Sequence, residues 1–453
     1  MIISITPPVR MILDGIELRK VSPLLQCSVV SQMVQSTELV LREVDSAAEE
    51  IVDFAAELIR IPTVNPPGEF YPDCAQAIGA RLKAFDFDVE YLAAVSRPEH
   101  TKAHPRINVL GRRPGRAARP LLHLNGHFDV VPAGEGWTVD PFKGLVRDGR
   151  LYGRGSADMK AGLAAAIYAV EAVRRAGVGL QGTVEVSGTV DEESGGLAGV
   201  AWLAEQGKLD ASLTDFVIIP EPFGVDRICL GHRGVYWFDV VTHGRTAHGS
   251  MPFLGESAIV SMGRVLDAIR DELAPTLARR VTAMPVVPEG ARRPTINING
   301  LTGGQVGTRQ PTPCVADRCT ATFDRRFLPE ENIKDVREEV IALLERVAVN
   351  EPSFKYELSD RLIVEPVQTS KDLPLVTALQ TSVDKVNGRP AQLVASPGTY
   401  DHKHVARLAR VKQCVAYGPG NLEIAHQPDE WCAIDDLVQT TKVIALTIVR
   451  LIG

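Results

Sequence analysis

Side chains of the types that hold divalent metals or move protons recur through this sequence at telling places. His127 and Asp129 lie in Gly126-His127-Phe128-Asp129, Asp158 in Ser156-Ala157-Asp158-Met159, and Glu192 beside Glu193 in Asp191-Glu192-Glu193-Ser194. Glu221 stands between two prolines, and His426 follows far downstream in Ala425-His426-Gln427-Pro428-Asp429-Glu430. Carboxylates mixed with imidazoles suit a hydrolytic divalent-metal site, most often zinc. Acids gathered this densely repel one another unless a cation neutralises them.

The elements that must present these residues are legible from periodicity. Ser46 and Glu49 form a capping-box pair ahead of a helical run through Ile51, Phe54, Ala55 and Leu58, which stops before Pro62. A second helix is expected over Asp73 to Phe85. The apolar run from Leu121 to Leu124 reads as a buried strand that delivers His127 and Asp129. Met159 to Ala176 reads as an Ala-rich helix with Leu163, Ile167, Val170 and Val173 on one face, closed by Gly177. Thr183 to Val190 reads as a strand leading into Asp191-Glu192-Glu193, and Phe216 to Ile219 as one leading into Glu221. Strands alternating with helices imply a parallel α/β sheet, whose ligands bind beyond the carboxyl ends of the strands. The acids sit at those ends.

From about Cys229 the rhythm changes. Strands are expected at Tyr236–His243, Thr295–Leu301 and Ala316–Phe327, with helices at Ser257–Leu273 and Glu331–Val349. Two helices with about four strands suit a small α+β module of ferredoxin-like type. Helix–strand alternation resumes near Asp360. The expected organisation is an extension over 1–45, a catalytic domain over 46–228 and 361–453, and an inserted domain over 229–360.

Composition narrows the function classes. The 453 residues carry 49 basic and 56 acidic side chains, a net charge of −7, which argues against a nucleic-acid binder. No run is long and apolar enough for a membrane span. Seven scattered cysteines without a C-x-x-C suggest reduced thiols and a cytoplasmic protein. No P-loop, H-E-x-x-H or G-x-S-x-G motif is present, and Gly153-Arg154-Gly155 does not extend into a dinucleotide fingerprint.

The ordered motifs resemble the M20 metallopeptidases, a family that includes acetylornithine deacetylases, succinyl-diaminopimelate desuccinylases, aminoacylases and glutamate carboxypeptidases. The matching stretches are Gly126–Pro132, Gly153–Gly162, Asp191–Gly196, Pro220–Pro222 and Ala425–Glu430. The resemblance implies a zinc-peptidase-like, largely parallel sheet flanked by helices, with an inserted dimerisation domain. It implies two Zn²⁺ per subunit, for which Co²⁺ could substitute. His127 and Glu221 would hold one metal, Glu193 and His426 the other, and Asp158 would bridge both. Asp129 would orient His127. A hydroxide shared by the metals would attack the amide, with Glu192 as general base. The peptide after the bridging aspartate is cis in the family, and the same is expected at Asp158–Met159.

In the inserted domain, Gly244–Pro252 resembles the family's dimerisation-domain motif, and His248 would stabilise the oxyanion in the other subunit of a homodimer. Asp324-Arg325-Arg326 resembles the Asp-x-Arg strand, so Arg326 would hold a substrate carboxylate. Gly398 and Thr399 match a segment lining the substrate pocket, with one extra residue before Asp401. After Gly303-Gly304 many relatives carry an asparagine. Here the stretch runs Gln305 to Pro311 without one. His402-Lys403-His404 looks like a further metal cluster, but the ligand set is complete without it.

The reading is a two-zinc hydrolase that removes the acyl group from N-acyl amino acids, as a deacetylase or desuccinylase does. A dipeptidase or carboxypeptidase with the same site is the second reading, and a non-catalytic metal-binding scaffold a remote third. The substrate would be an N-acyl amino acid or short peptide, with no nucleic-acid or membrane partner.

Overall fold

The computed structural model describes residues 12–13, 16–17, 23–307 and 313–453, with side chains from residue 35 onward. The first part of the expected extension and the loop stretch from Thr308 to Pro311 therefore lie outside the described residues. The chain divides into two compact units, one of residues 1–228, 370–392 and 404–453, the other of 229–369 and 393–403.

In the first unit, helix α1 (Pro23–Ser46) runs almost directly into α2 (Ala48–Ile59), and α3 spans Tyr71–Ala84. The capping box expected at Ser46 is not formed. The chain before Ser46 is already helical, so Ser46 ends α1, and Ala47 precedes α2 with no side-chain cap. Strands β1 (Asp88–Ala93), β2 (Ile107–Arg113) and β3 (Leu121–His127) follow, then α4 (Lys160–Arg175), β4 (Thr183–Thr189) and β5 (Phe216–Ile219). After the second unit come α5 (Pro374–Asn387), β6 (Cys414–Ala416) and α6 (Ile434–Ile452).

Strands β6, β5, β3 and β4 are parallel neighbours in that order, while β2 and β1 add an antiparallel margin beside β4. This is a mixed α/β sheet, largely parallel and flanked by helices. Both β3 and β4 are buried along their whole length, as a sheet covered on both faces requires. Helix α4 packs against β3 and against α1, α2 and α6. It is therefore buried on every side from Lys160 to Val173 rather than along one stripe. The alanines that fill it are what let so many neighbours approach.

One contact of α4 ties the fold to the site. A Cβ on Gly162 would lie 2.1 Å from the Pro220 carbonyl oxygen, next to Glu221. Gly162→Ala should therefore cost about 1–3 kcal/mol through overpacking, read as a lower thermal midpoint. An unchanged midpoint would show that the end of β5 yields freely.

The second unit contains an antiparallel sheet of four strands in the order Thr295–Gly304, Arg318–Phe327, Gly234–His243, Lys355–Val364. Helices Ala258–Ala268 and Ile333–Asn350 cover one face, packing Met262, Val265, Val340 and Leu344 against Tyr236, Phe238 and Phe323. Asn332 caps the second helix by accepting from the Lys334 N–H. The expected single helix to Leu273 changes at Ile269 into a π turn, ahead of Pro275. None of the six described cysteines is in a disulfide, and no described helix is long and apolar enough to cross a membrane.

Candidate active site

The ends of β3, β4 and β5 and two loops bring most of the acid and imidazole side chains together in the first unit. His127 is the last residue of β3. Its Nδ1 lies 3.0 Å from the backbone oxygen of Asp129 and 3.5 Å from the Asp129 carboxylate. The carbonyl is thus the closer acceptor, fixing the Nδ1–H tautomer and turning Nε2 inward. That Nε2 stands 3.1 Å from Asp158 Oδ1 and 3.9 Å from Glu221 Oε1.

Asp129 does something the sequence did not suggest. Its carboxylate accepts from the backbone N–H groups of Glu192 and Glu193, each at 3.1 Å, and from Asn65 at 2.9 Å. It therefore caps the turn that carries the two glutamates. They are not on an extended strand: β4 ends at Thr189, Asp191 turns left-handed at φ 61°, and Glu192–Ser194 forms a 3₁₀ turn. Tyr71 donates to Asp191 at 2.8 Å and Arg106 at 2.9 Å, holding that turn from behind.

On the far side of Asp158, His426 Nε2 lies 3.4 Å from Asp158 Oδ2 and 3.1 Å from Glu193 Oε1. Asp158 thus faces one imidazole with each oxygen. The Asp158–Met159 peptide is cis, as the resemblance implied. Single donor atoms of His127, Asp158 and Glu193 all lie within 4.8 Å of one another.

Electrostatics follows from this crowding. Burial opposes charge on His127, but hydrogen bonds to Asp129 and Asp158 prevail and hold its pKa well above the usual value. Asp158 and then Glu193 push His426 up to about 11. Burial raises Glu193 to about 7 despite the hydrogen bond from His426. Asp158 is held well below the ordinary range, because His127 and His426 outweigh its burial. Left to itself, the cluster favours protons on its imidazoles beside the ionised Asp158. A divalent cation supplies the same balance.

The donor spacing tests whether metals fit. Tetrahedral zinc with ligands at about 2.0–2.1 Å requires donors about 3.3 Å apart. The His127–Asp158, His426–Asp158 and His426–Glu193 separations of 3.1, 3.4 and 3.1 Å meet that requirement. These side chains therefore suit ligation of a divalent metal, although the 3.9 Å between His127 Nε2 and Glu221 Oε1 is wider than that spacing.

Residues that the sequence did not single out hold this arrangement. Glu430, fully buried, accepts from the N–H groups of Gly155, Ala157 and Asp158. Lys160 is buried and donates to the carbonyls of Leu58 and Ile61 at 2.8 and 2.7 Å. Burial lowers its pKa to about 8. His404 bonds the Gly195 carbonyl at 2.7 Å, whereas His402 is buried in the other unit, with its pKa lowered to about 3.

His248, Arg326, Gly398 and Thr399 belong to the second unit. His248 is exposed, and its Nδ1 accepts from the Ser250 N–H at 3.2 Å, so the neutral ring carries its proton on Nε2. Asp324 takes one edge of the Arg326 guanidinium through Nε and Nη2, at 2.7 and 2.9 Å. Gly398 donates to Ser396 Oγ at 3.1 Å. Next to it, Arg233 donates to the Pro397 and Arg293 carbonyls, buttressing that segment.

Comparison with known proteins places these motifs. The model of peptidase family M20/M25/M40 matches residues 123–450. The chain belongs to that family. It is therefore a hydrolase of the M20 group. A succinyl-diaminopimelate desuccinylase from Nitrosospira multiformis is 29% identical over 396 residues, covering 85% of this chain and 95% of that protein. Human carnosine dipeptidase 1 shares the fold with a TM-score of 0.74 at 20% identity, over 92% of this chain and 98% of that one. So does a dinuclear metal-binding M20 peptidase from Bacillus subtilis, with a TM-score of 0.64 at 15% identity, over 90% and 99%.

Proposed function

We propose that this M20 hydrolase binds two zinc ions and cleaves the amide bond of N-acyl amino acids, as a deacetylase or desuccinylase does. The observation that carries the two-metal part is Asp158, whose two oxygens each face a different imidazole. His127, Asp158 and Glu221 would hold one ion, and Asp158, Glu193 and His426 the other. When bound, the ions supply Lewis-acid polarisation of the amide carbonyl and lower the pKa of water. The rest is done by the chain. Asp129 holds the Glu192–Glu193 turn by accepting from its two backbone N–H groups, which fixes the backbone from which the Glu192 side chain extends. Glu192 takes the proton of the attacking water and delivers it to the leaving amine. His248, of the partner subunit in a homodimer, donates its Nε2–H to the developing oxyanion. Arg326, with Gly398 and Thr399, receives the substrate's carboxylate end.

The 29% identity to a desuccinylase supports deacylation. The likeness to a dipeptidase keeps peptide cleavage as the second reading. Turnover of N-acetyl, N-formyl and N-succinyl amino acids against a panel of dipeptides decides between them. Deacylation predicts kcat/KM for at least one acyl amino acid well above that for every dipeptide. The reverse order would establish a peptidase.

A further inference from the structure

Two residues outside the metal-facing set cross-link the loops that carry it. Arg154 lies just before Asp158, and Glu430 just after His426. Glu430 Oε1 accepts from the N–H groups of Gly155, Ala157 and Asp158 at 3.0, 2.8 and 3.2 Å. Arg154 Nη1 donates to Glu430 Oε2 at 2.6 Å and to the Gln427 carbonyl at 3.3 Å. Its Nη2 donates to the carbonyls of His426 at 3.3 Å and Ala133 at 3.1 Å. Each loop thus contributes one side chain that grips the backbone of the other. The side chains of Arg154 and Glu430 are 2% and 0% exposed, so water does not compete for these bonds.

We propose that Arg154 and Glu430 are positioning residues that fix the separation of Asp158 and His426. They thereby set the affinity of the metal position that these two share with Glu193. The inference rests on the two-metal reading above. Two observations favour it over a purely structural role. Burying an ion pair is a poor source of stability, since apolar residues of similar volume often serve as well or better. The pair also grips His426 where its backbone is left-handed, at φ 64°, a conformation that non-glycine residues hold only when their surroundings enforce it. Releasing the His426 carbonyl frees that turn to relax and carries the imidazole away from Asp158.

The test is zinc titration of metal-stripped protein against a chromophoric chelator, with thermal midpoints of each metal-free form recorded alongside. The proteins compared are wild type, Arg154→Lys, Glu430→Gln, His426→Ala and the Arg154→Lys/His426→Ala double variant. Lysine keeps the charge but cannot span Glu430 and the carbonyls together. Glutamine keeps the volume of Glu430 and an acceptor for the N–H groups. Wild type should take up two equivalents, and His426→Ala should lose one. Each brace variant should keep both but bind that same equivalent about 10–100-fold more weakly, as loss of partners behind a ligand does. On the His426→Ala background, Arg154→Lys should change the remaining equivalent by no more than about twofold. Lower midpoints with unchanged zinc affinity in both brace variants would reduce the pair to a structural role and overturn the proposal. Failure of wild type to take up a second equivalent would overturn the two-metal reading itself, and the brace with it.

Discussion

Glu192→Gln is expected to fold, to bind its metals, and to lose about 10²–10⁴-fold in kcat, the contribution of a positioned base. The amide keeps the volume and the N–H bond to Asp129 but cannot accept the proton of water. Glu193→Gln should behave differently. Glu193 lies 3.1 Å from His426, with its side chain 7% exposed, so replacing it removes a buried donor from the cluster. Metal affinity should fall, and added zinc should restore part of the activity. Adjacent residues have different tasks because a 3₁₀ turn sends successive side chains in different directions. Metal content and single-turnover rates of both variants check the assignment. A reversed pattern, with Glu192→Gln losing metal and Glu193→Gln losing only rate, would exchange the two roles.

The second large effect concerns His248. Loss of an oxyanion donor costs about 10²–10³-fold in kcat, or roughly 2.7–4 kcal/mol, and His248→Ala should lose that much with metal content unchanged. The ring is prepared for the task, since the Ser250 N–H on Nδ1 leaves Nε2 as the proton-bearing nitrogen. If the histidine serves the partner subunit, mixing inactive Glu192→Gln with inactive His248→Ala protein should restore activity. Random exchange gives hybrid dimers with one intact site, so recovery should approach about a quarter of wild type. Demonstrated exchange without recovery would place His248 in its own subunit's site or outside catalysis.

The acid and imidazole side chains that gather in the first unit were legible in the sequence because each sits at a strand end or in a short motif, where local pattern and resemblance suffice. The central α/β sheet was legible because β3 begins with, and β5 consists of, a compact apolar run, and because strands and helices alternate around them. What escaped depends on contacts remote in sequence. Nothing near Lys160 announces that its ammonium satisfies the carbonyls of Leu58 and Ile61. Nothing near Glu430 announces that it holds the Asp158 loop. Asp129 lies beside His127 Nδ1 through both its carbonyl and its carboxylate, at 3.0 and 3.5 Å, and nothing near it announces that the carboxylate also holds the Glu192–Glu193 turn. At Ser46 a sound local signal failed because Ser46 is the last residue of α1, and the next helix starts after one intervening residue, Ala47, which has no side chain to cap it. In α4 the one-sided stripe understated burial, since small alanines admit neighbours all round.

The central claim is that Asp158 is shared by two metal ions. Diffraction from crystals grown with saturating zinc, recorded on both sides of the zinc absorption edge, tests it most directly. The expected result is two anomalous peaks about 3.5–4 Å apart, one beside His127 and Glu221, the other beside Glu193 and His426, with one Asp158 oxygen on each. A single peak at saturating zinc, in crystals whose dissolved protein is fully active, would contradict it.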